Sequence, residues 1–281
     1  MTTDHVDVLI VGAGLSGIGA AAHLVSAARS GDIAPRSYAI LERREASGGT
    51  WDLFRYPGVR SDSDMFTLGY KFKPWMGEKA LADGPSILEY VRETAREYGI
   101  EEHIRYGHHV VAADWDSASR QWRVTSVVDG EERVTTADFL WSCSGYYDYD
   151  QGHRPAFPGE ERFGGTFVHP QHWPEDLEIE GRRFVVIGSG ATAVTLVPAL
   201  AQAGASHVTM LQRSPTYILS MPARDGFAGA VRKVLPSRAS YAVTRLKNIG
   251  MSTALYQLSQ RRPEMVRGFI RKVNTSLLPE G

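Results

Sequence analysis

Three glycines near the N-terminus have the spacing of a dinucleotide-binding turn. Gly12, Gly14 and Gly17 in VGAGLSG form the pattern G-x-G-x-x-G between a predicted strand and a predicted helix. The first glycine permits a tight turn, the second lets the backbone approach a pyrophosphate, and the third lets helix and strand pack closely. Glu42 ends the next predicted strand, 25 residues after Gly17, where a carboxylate can accept hydrogen bonds from ribose hydroxyls. The pattern predicts a site for NAD or FAD.

A second glycine pattern occurs in the C-terminal half of the chain. Gly188, Gly190 and Ala193 form the variant G-x-G-x-x-A, and the strand predicted after it ends in Gln212 and Arg213 instead of an acid. A carboxylate there would repel a 2′-phosphate, whereas an arginine binds it through charge-assisted hydrogen bonds. The second site is therefore predicted to prefer NADPH to NADH. The alternative is that Arg213 is a surface arginine beside a loop.

Two dinucleotide sites on one chain favour FAD in the first and NADPH in the second, because a hydride from nicotinamide needs an acceptor. An aromatic, glycine-rich loop, GGTWDLFRYPGVRSDSD, follows the first site directly. Cys143 is the single cysteine, which excludes a Cys–Cys redox pair as the next acceptor. Oxygen, a quinone or another protein is left as the acceptor.

The stretch FGGTFVHPQHWPED lies between the two glycine patterns and holds His169 and His172 at a spacing found in metal sites. Pro170 separates them, and no neighbouring cluster of Cys, Asp or Glu completes a coordination shell, so we predict no metal. We interpret the stretch as a packed linker between the nucleotide-binding segments, with its phenylalanines and Trp173 partly in the core.

The elements that must position these residues follow from hydrophobic periodicity. A strand at Val6–Val11, a helix to about Ser30 and a strand at Ser37–Glu42 predict a βαβ unit and a parallel sheet. The same order begins again at Arg183. Beyond about Pro222 only basic amphipathic helices are predicted, so the second domain is expected to be incomplete.

The region between the two βαβ units is predicted to contain a helix and an antiparallel meander. Ser86 and Glu89 resemble a capping box, and Gly99 is placed as a C-terminal cap. The meander strands and their turn follow from alternating apolar residues at Val110–Trp115, Gln121–Val127 and Arg133–Trp141, with a turn at Asp129 and Gly130.

We therefore predict an α/β fold with two Rossmann-like dinucleotide-binding domains, one for FAD and one for NADP. The expected boundaries are residues 1–150 for the FAD domain, 151–182 for the linker and 183–281 for the NADP domain.

Composition and charge limit the classes of protein further. At 281 residues and 43% hydrophobic content, the chain can form one or two globular domains. It has no secretory h-region and no apolar run approaching the roughly 18 residues of a membrane span, so we expect a cytoplasmic protein. From Arg224 onward, eleven Lys or Arg face three Asp or Glu, a net of +8. This end is predicted to be a solvated helical face, or to meet phosphate groups, an acidic partner or an anionic membrane surface peripherally.

These motifs together resemble the Baeyer–Villiger monooxygenases, which are class B flavoprotein monooxygenases. The resemblance rests on VGAGLSG, GGTWDLFRYPGVRSD, FGGTFVHPQHWP and VIGSGATA. The third stretch matches the fingerprint F-x-G-x-x-x-H-x-x-x-W-P of that family at Phe163, Gly165, His169, Trp173 and Pro174.

The resemblance implies a chemistry that needs NADPH, FAD and O₂. In the family, NADPH reduces the flavin and O₂ adds to give a C4a-peroxyflavin, which is held with NADP⁺ still bound. That intermediate converts ketones to esters or lactones, and it oxidises soft sulfur or nitrogen in substrates such as thioethers and thioamides.

The resemblance also assigns cofactor contacts and two catalytic residues, Asp62 and His169. Asp62 would orient an arginine beside the flavin, although that arginine lies beyond Gly281 in the family; the alternative is a loop residue that caps backbone N–H groups. FAD contacts fall on Ser16, Glu42, Gly49, Thr50, Trp51, Asp52, Leu53, Asp62 and Val111. NADP contacts fall on Arg60, Ser61, Asp62, Gly188, Ser189, Gly190, Ala191, Thr192, Ala193, Val194, Arg213 and Ser214.

Two other functions stay open at this point. One is a flavin monooxygenase that oxidises only sulfur or nitrogen. The other is a non-catalytic FAD- and NADP-binding fragment, because chains of the family are longer and this one is expected to be truncated. Nucleic-acid binding is not expected, since no recognised binding module is present.

Overall fold

The computed structural model describes residues 4–214, 216–219 and 221–278. They form two compact units, each built from two segments of the chain: Met1–Arg55 with Gly84–Glu175, and Tyr56–Asp83 with Asp176–Gly281. This division differs from the contiguous one expected from the sequence. The aromatic loop after Arg55 belongs to the second unit, and the fingerprint stretch up to Glu175 belongs to the first.

A mixed six-stranded sheet is the centre of the first unit, in the order β3-β2-β1-β6-β5-β4. Its strands are β1 (Asp4–Val11), β2 (Tyr38–Leu41), β3 (Ile104–Arg105), β4 (His109–Asp116), β5 (Gln121–Val128) and β6 (Glu131–Ser142). Strand β1 pairs in parallel with β2 and β6, while β4, β5 and β6 pair antiparallel. The predicted parallel sheet and meander are confirmed, and β6 makes them one sheet.

The sequence explains this sheet locally. Leu9, Ile10 and Ile40 are fully buried, as expected for continuous apolar runs in parallel strands that are covered on both faces. Asp129 and Gly130 both have positive φ, 52° and 83°. That combination matches the right-handed twist of the flanking strands β5 and β6 and makes a tight hairpin turn.

Eight helices are present in the described residues: α1 (Leu15–Ser30), α2 (Thr50–Leu53), α3 (Met65–Leu68), α4 (Gly84–Tyr98), α5 (Ala191–Gln202), α6 (Gly226–Arg232), α7 (Ser237–Arg261) and α8 (Pro263–Leu277). The capping box at Ser86 is wrong, because α4 begins two residues earlier at Gly84. Pro85 lies in the first turn, where its missing N–H removes no intrahelical bond. Gly99 ends the helix with φ of 68°, which confirms the predicted cap.

The second unit contains the second βαβ arrangement. Strands β7 (Arg183–Ile187) and β8 (His207–Leu211) pair in parallel, and α5 connects them. This sheet has two strands in the part of the chain that the structure describes. The predicted α/β class with two dinucleotide-binding βαβ units is therefore confirmed.

Basic residues of the C-terminal helices hold the segment Tyr56–Asp83. The Tyr241 hydroxyl donates to the carbonyls of Phe66 and Tyr70 at 3.1 and 3.3 Å. Arg245 donates to three carbonyls at the end of α3, and Arg232 donates to the Trp75 carbonyl at 3.0 Å. Carbonyls at a helix end lack intrahelical partners, so these arginines have a structural role. The prediction of a wholly solvated basic face is wrong at these positions.

Within the described ranges, no helix is long and apolar enough to cross a membrane.

Candidate dinucleotide-binding sites

The first glycine turn has no room for side chains. Gly12 has φ of 101°, and a Cβ there would lie 2.4 Å from the Cys143 carbonyl oxygen. A Cβ on Gly17 would lie 1.8 Å from the Gly12 oxygen. Both distances are far below van der Waals contact, so the tight turn and the close approach of α1 to β1 require glycine at these positions.

The turn opens onto the N-terminus of α1. Gly14 is the N-cap with extended backbone, no side chain caps the helix, and no acidic residue occupies its first turn. Ser16 is exposed in that turn. No side-chain cap and no first-turn acid compete for this helix N-terminus, where the helix dipole favours an anion.

The loop before α2 packs directly against this turn. The Gly48 N–H donates to the Ala13 carbonyl at 3.0 Å. Gly49 has φ of 55°, and a Cβ there would be 3.0 Å from the Gly14 Cα. The two glycine-rich segments thus form one surface of bare backbone. Thr50, Trp51 and Leu53 follow in α2 with half-buried side chains.

Asp52 is buried in this loop with 2% of its side chain exposed. It lies 2.7 Å from a guanidinium nitrogen of Arg44 and 2.7 Å from one of Arg92, with Arg55 at 3.4 Å. Arg92 also donates to the Ser47 carbonyl at 3.0 Å. The Asp52 carboxylate thus lies among three arginines that tie it to the loop, and its buried Oδ2 atom has no hydrogen-bond partner among the described residues. Sequence reasoning missed Arg92, whose one signal is its place beside buried Val91 on α4.

Glu42 lies at the end of β2 with 2% of its surface exposed. Its carboxylate accepts hydrogen bonds from the Ala13 N–H at 2.7 Å and the Arg44 N–H at 2.9 Å. It borders a cavity of about 190 Å³. The cavity is lined by Val11, Gly12, Leu41, Glu42, Arg43, His108, His109, Val110, Ser144, Tyr147, Asp148 and Tyr149.

The cavity wall differs from the expected one in two respects. Val110 lines it, whereas the side chain of Val111 is 51% exposed and does not. Tyr147, Asp148 and Tyr149 were not anticipated from the sequence. Burial raises the pKa of Tyr149, and the nearby Glu42 carboxylate adds to this, so the phenol stays neutral beside the acid.

The second glycine turn is more open than the first. Gly188 has φ of 128°, and a Cβ on Gly188 or Gly190 would meet no atom within 4 Å among the described residues. Gly190 is the N-cap of α5, again without a side-chain cap or an acidic first turn. The first turn of α5 consists of Ala191, Thr192, Ala193 and Val194, of which Ala193 is buried. Because no side chain caps it, this helix N-terminus also suits a phosphate.

Arg213 follows β8 beside this turn. The Gly188 N–H donates to the Leu211 carbonyl at 2.9 Å, which ties the turn to the end of β8. Arg213 and Ser214 are exposed, and Arg213 forms no ion pair with any residue in the described part of the chain. The guanidinium is therefore available to a ligand. Ser189 exchanges a hydrogen bond with Thr216 at 3.0 Å.

The loop with Arg60, Ser61 and Asp62 docks on α5. A Cβ on Gly58 would lie 2.6 Å from the Thr195 carbonyl oxygen, and the Tyr56 hydroxyl is 3.2 Å from the Thr195 hydroxyl. These contacts place the loop in the same unit as the second glycine turn.

Within that loop, Ser61 is buried and its hydroxyl accepts from the Ser63 N–H at 3.1 Å. Arg60 and Asp62 are exposed, and the Asp62 carboxylate has no hydrogen-bond partner in the described ranges. The alternative of a backbone-capping role for Asp62 is thus wrong. Asp64 caps α3 instead, accepting from the Thr67 N–H at 3.1 Å.

The fingerprint stretch forms a short 3₁₀ turn, Pro170–His172. The Nδ1 atom of His169 accepts from the Gln171 N–H at 3.2 Å. Burial lowers the pKa of His169, and His172 and His153 lower it further, so this acceptor nitrogen is unprotonated at neutral pH. In the described residues, no group of three or more His, Cys, Asp or Glu is arranged to hold a metal ion.

The phenylalanines of this stretch are not in the core, so that part of the interpretation is wrong. Phe163 and Phe167 are 57% and 45% exposed. Their rings pack edge to face at 5.1 Å, and the Arg154 guanidinium lies 4.6 Å from the Phe167 ring centre. These two phenylalanines are therefore held by the contact between their rings and by the cation–π contact with Arg154, and not by burial in the core.

Two βαβ units, each with a glycine turn at a helix N-terminus that no side chain caps, give the chain two candidate dinucleotide sites. The chain belongs to the flavin-binding monooxygenase-like family, whose model matches residues 79–264. Residues 10–73 match the NAD(P)-binding Rossmann-like domain.

Similar proteins agree with this membership. The chain is 55% identical to the FAD-containing monooxygenase EthA of Mycolicibacterium smegmatis, over 99% of this chain and 56% of the relative. It is 53% identical to the probable FAD-binding monooxygenase AlmA of Acinetobacter baylyi, over 95% of this chain and 53% of the relative. The solved structure of an oxidized steroid monooxygenase bound to NADP superposes with a TM-score of 0.68 at 31% identity, covering 85% of this chain and 43% of that one. The chain thus spans about half the length of these proteins.

Proposed function

We propose that the first glycine turn binds FAD, that the second binds NADPH, and that the protein is an NADPH- and O₂-dependent flavin monooxygenase. The proposal rests on two glycine turns, each at a helix N-terminus that no side chain caps. The Glu42 carboxylate lies beside the first turn, and the exposed Arg213 follows the strand beside the second. Membership of the flavin-binding monooxygenase-like family supports it.

The residues present fit FAD at the first turn. Gly12 and Gly49 have no room for a side chain against Cys143 and Gly14, so the turn is built of bare backbone, as the close approach of a pyrophosphate requires. Glu42 is directed at the turn, where it holds the Ala13 N–H and has acceptor capacity left for ribose hydroxyls. When bound, FAD would supply hydride acceptance from NADPH and activation of O₂.

The substrates we propose are ketones, by Baeyer–Villiger oxygen insertion, and sulfur compounds. One oxygen atom enters the substrate and the other becomes water, with both electrons from NADPH. The fingerprint at Phe163, Gly165, His169, Trp173 and Pro174 supports the ketone branch. The exposed Asp62 carboxylate, without a hydrogen-bond partner in the described ranges, supports its proposed pairing with a cation.

Product analysis tests the reaction class. The purified chain is given FAD, NADPH and oxygen with a cyclic ketone or with a thioether, and NADPH consumption is compared with product. A lactone formed in step with NADPH use supports the proposal. Sulfoxide without lactone favours an enzyme restricted to sulfur and nitrogen, and bound cofactors without turnover show a binding function only.

Replacing Arg213 tests the nucleotide preference of the second site. We expect Arg213→Gln to weaken NADP⁺ binding about 10- to 100-fold, because hydrogen bonds to charged groups contribute roughly 1.5–3 kcal/mol each. NAD⁺, which lacks the 2′-phosphate, should bind unchanged; titration calorimetry measures both. Arg183→Gln removes an exposed arginine at the start of β7 and serves as the control. Equal losses for NADP⁺ and NAD⁺ would refute the assignment.

Replacing His169 tests the fingerprint stretch. We expect His169→Ala to slow reduction of bound flavin by NADPH about tenfold, or to uncouple oxygen use, since one hydrogen bond of roughly 1 kcal/mol orders the turn. FAD should stay bound. Stopped-flow absorbance measures the reduction, with His172→Ala, an exposed neighbour, as control. Loss of a bound metal on the same change would overturn this role.

A further inference from the structure

We propose that Gln171 is a positioning residue for the first dinucleotide site, acting through the segment Tyr146–Asp150, here called the tyrosine strap. The proposal rests on the assignment of FAD to that site. It gives the fingerprint stretch, which includes Gln171, a role in holding the adenosine half of the cofactor.

The tyrosine strap forms one wall of the first cavity. Tyr147, Asp148 and Tyr149 face Glu42 and Arg43 across it. Because a carboxylate at this strand end binds ribose in a dinucleotide site, the cavity beside Glu42 is where the adenosine half would lie. The two tyrosines give it an aromatic wall suited to an adenine ring or its ribose.

A second cavity, of about 510 Å³, borders the same segment. Tyr147 and Asp148 line both cavities. The strap is therefore next to open space in both cavities, so contacts from outside it matter for the position of its backbone.

Side chains of the strap contact their neighbours in the first unit. Asp150 forms an ion pair with Arg43, but its side chain is 68% exposed, and exposed pairs contribute little. The Arg44 guanidinium lies 5.7 Å from the Tyr149 ring centre, and the rings of Tyr147 and Phe54 meet edge on at 4.9 Å. Each of these contacts is made by a side chain of the strap and not by its backbone.

Gln171 holds that backbone. It is 4% exposed, and its side-chain amide donates to the Asp148 carbonyl at 2.5 Å. The bond joins residues 23 positions apart and links a buried side chain to the backbone of the strap. Its loss would remove this link between the fingerprint stretch and the cavity wall. Gln171 is in turn placed by its own N–H, bonded to His169.

Two substitutions on the 281-residue chain test the proposal. Gln171→Met keeps the length of the side chain but removes the donor, and we expect the Kd for FAD to rise about tenfold. The Ki of ADP as a competitor of FAD should rise equally, since ADP carries the adenosine half. The Kd for NADP⁺ should not change. Gln151→Met, at an exposed glutamine lining the second cavity, is the matched control and should change none of these.

Gln171→Glu keeps the shape of the side chain and so preserves the packing. Its carboxylate only accepts hydrogen bonds, so FAD affinity should fall at neutral pH. It should recover as pH falls through the pKa of the new carboxyl, because the protonated form donates. A purely structural role would give no such recovery.

Three results would overturn the proposal. Unchanged FAD affinity in Gln171→Met would refute the role of the strap while leaving the FAD site intact. An equal loss of FAD and NADP⁺ affinity would show general damage to the fold instead of positioning. Absence of FAD binding in the wild-type chain would refute the FAD assignment itself, which separates that failure from the other two.

Discussion

Gly17→Ala is expected to weaken FAD binding to the first site strongly. The new Cβ would lie 1.8 Å from the Gly12 carbonyl oxygen, and 3.4 Å from the Ile10 side chain. The clashing atom is backbone, so the turn itself must move. Overpacking of this kind costs about 3 kcal/mol or more, and a displaced turn loses charge-assisted bonds to pyrophosphate that contribute roughly 1.5–3 kcal/mol each. FAD affinity should fall by at least about 100-fold.

Flavin fluorescence titration measures this loss, with NADP⁺ binding followed in parallel. Gly250→Ala, in the middle of α7 with nothing within 4 Å of the new Cβ, is the matched control. It should leave FAD binding unchanged and add a few tenths of a kcal/mol or more to stability. Wild-type FAD affinity in Gly17→Ala would show that this turn is not the FAD site.

Asp52→Asn is expected to cause a large loss of stability in the first unit. The substitution removes the charge that faces Arg44 and Arg92 at 2.7 Å, from a side chain that is 2% exposed. Breaking a buried ion pair on one side costs about 3–5 kcal/mol. The side chains of Arg44 and Arg92 are 22% and 30% exposed, so solvent offsets part of this, and we expect about 3 kcal/mol.

Urea denaturation of the FAD-free chain measures this cost. The control is Glu178→Gln, which removes an exposed pair with Arg182, where the side chains are 76% and 66% exposed. It should change the unfolding free energy by less than about 1 kcal/mol. If both substitutions destabilise equally, the arginine cluster does not anchor the loop before α2.

The parts of the fold predicted correctly from the sequence depend on short-range patterns. Both βαβ units follow from apolar runs beside glycines at fixed spacing, and the meander follows from alternation and the turn at Asp129 and Gly130. Such signals are local, because the φ angle of one glycine or the period of one strand determines them. The start of α4 was predicted wrongly because two local signals competed. Ser86 resembles an N-cap, but Pro85 suits the first turn of a helix, and the helix begins at Gly84.

The parts that were missed depend on contacts between distant segments. Arg92 meets Asp52 across 40 positions, and Gln171 meets Asp148 across 23. Neither distance along the chain matches the period of a helix or a strand, so the sequence does not indicate these contacts. Arg245 donates to the carbonyl of Phe66, which lies 179 positions away. The sequence alone shows Arg245 only as one of many basic residues near the C-terminus. The prediction that Phe163 and Phe167 lie partly in the core was wrong because it rested on their apolar side chains alone, and apolar side chains are not always buried.

The difference between the expected domain boundaries and the observed units also comes from contacts between distant segments. The aromatic loop Tyr56–Asp83 follows the first site in sequence, yet Gly58 and Tyr56 dock on Thr195 of α5. The candidate residues Arg60, Ser61 and Asp62 are therefore in one unit with the proposed NADP site.

The central claim is that the chain has two separate dinucleotide sites, one for FAD and one for NADP. The most direct test is a titration of the wild-type chain with FAD in the absence and presence of saturating NADP⁺. We expect one FAD to bind per chain in both cases, with no displacement by NADP⁺. Displacement of FAD by NADP⁺, or no bound FAD at all, would contradict it.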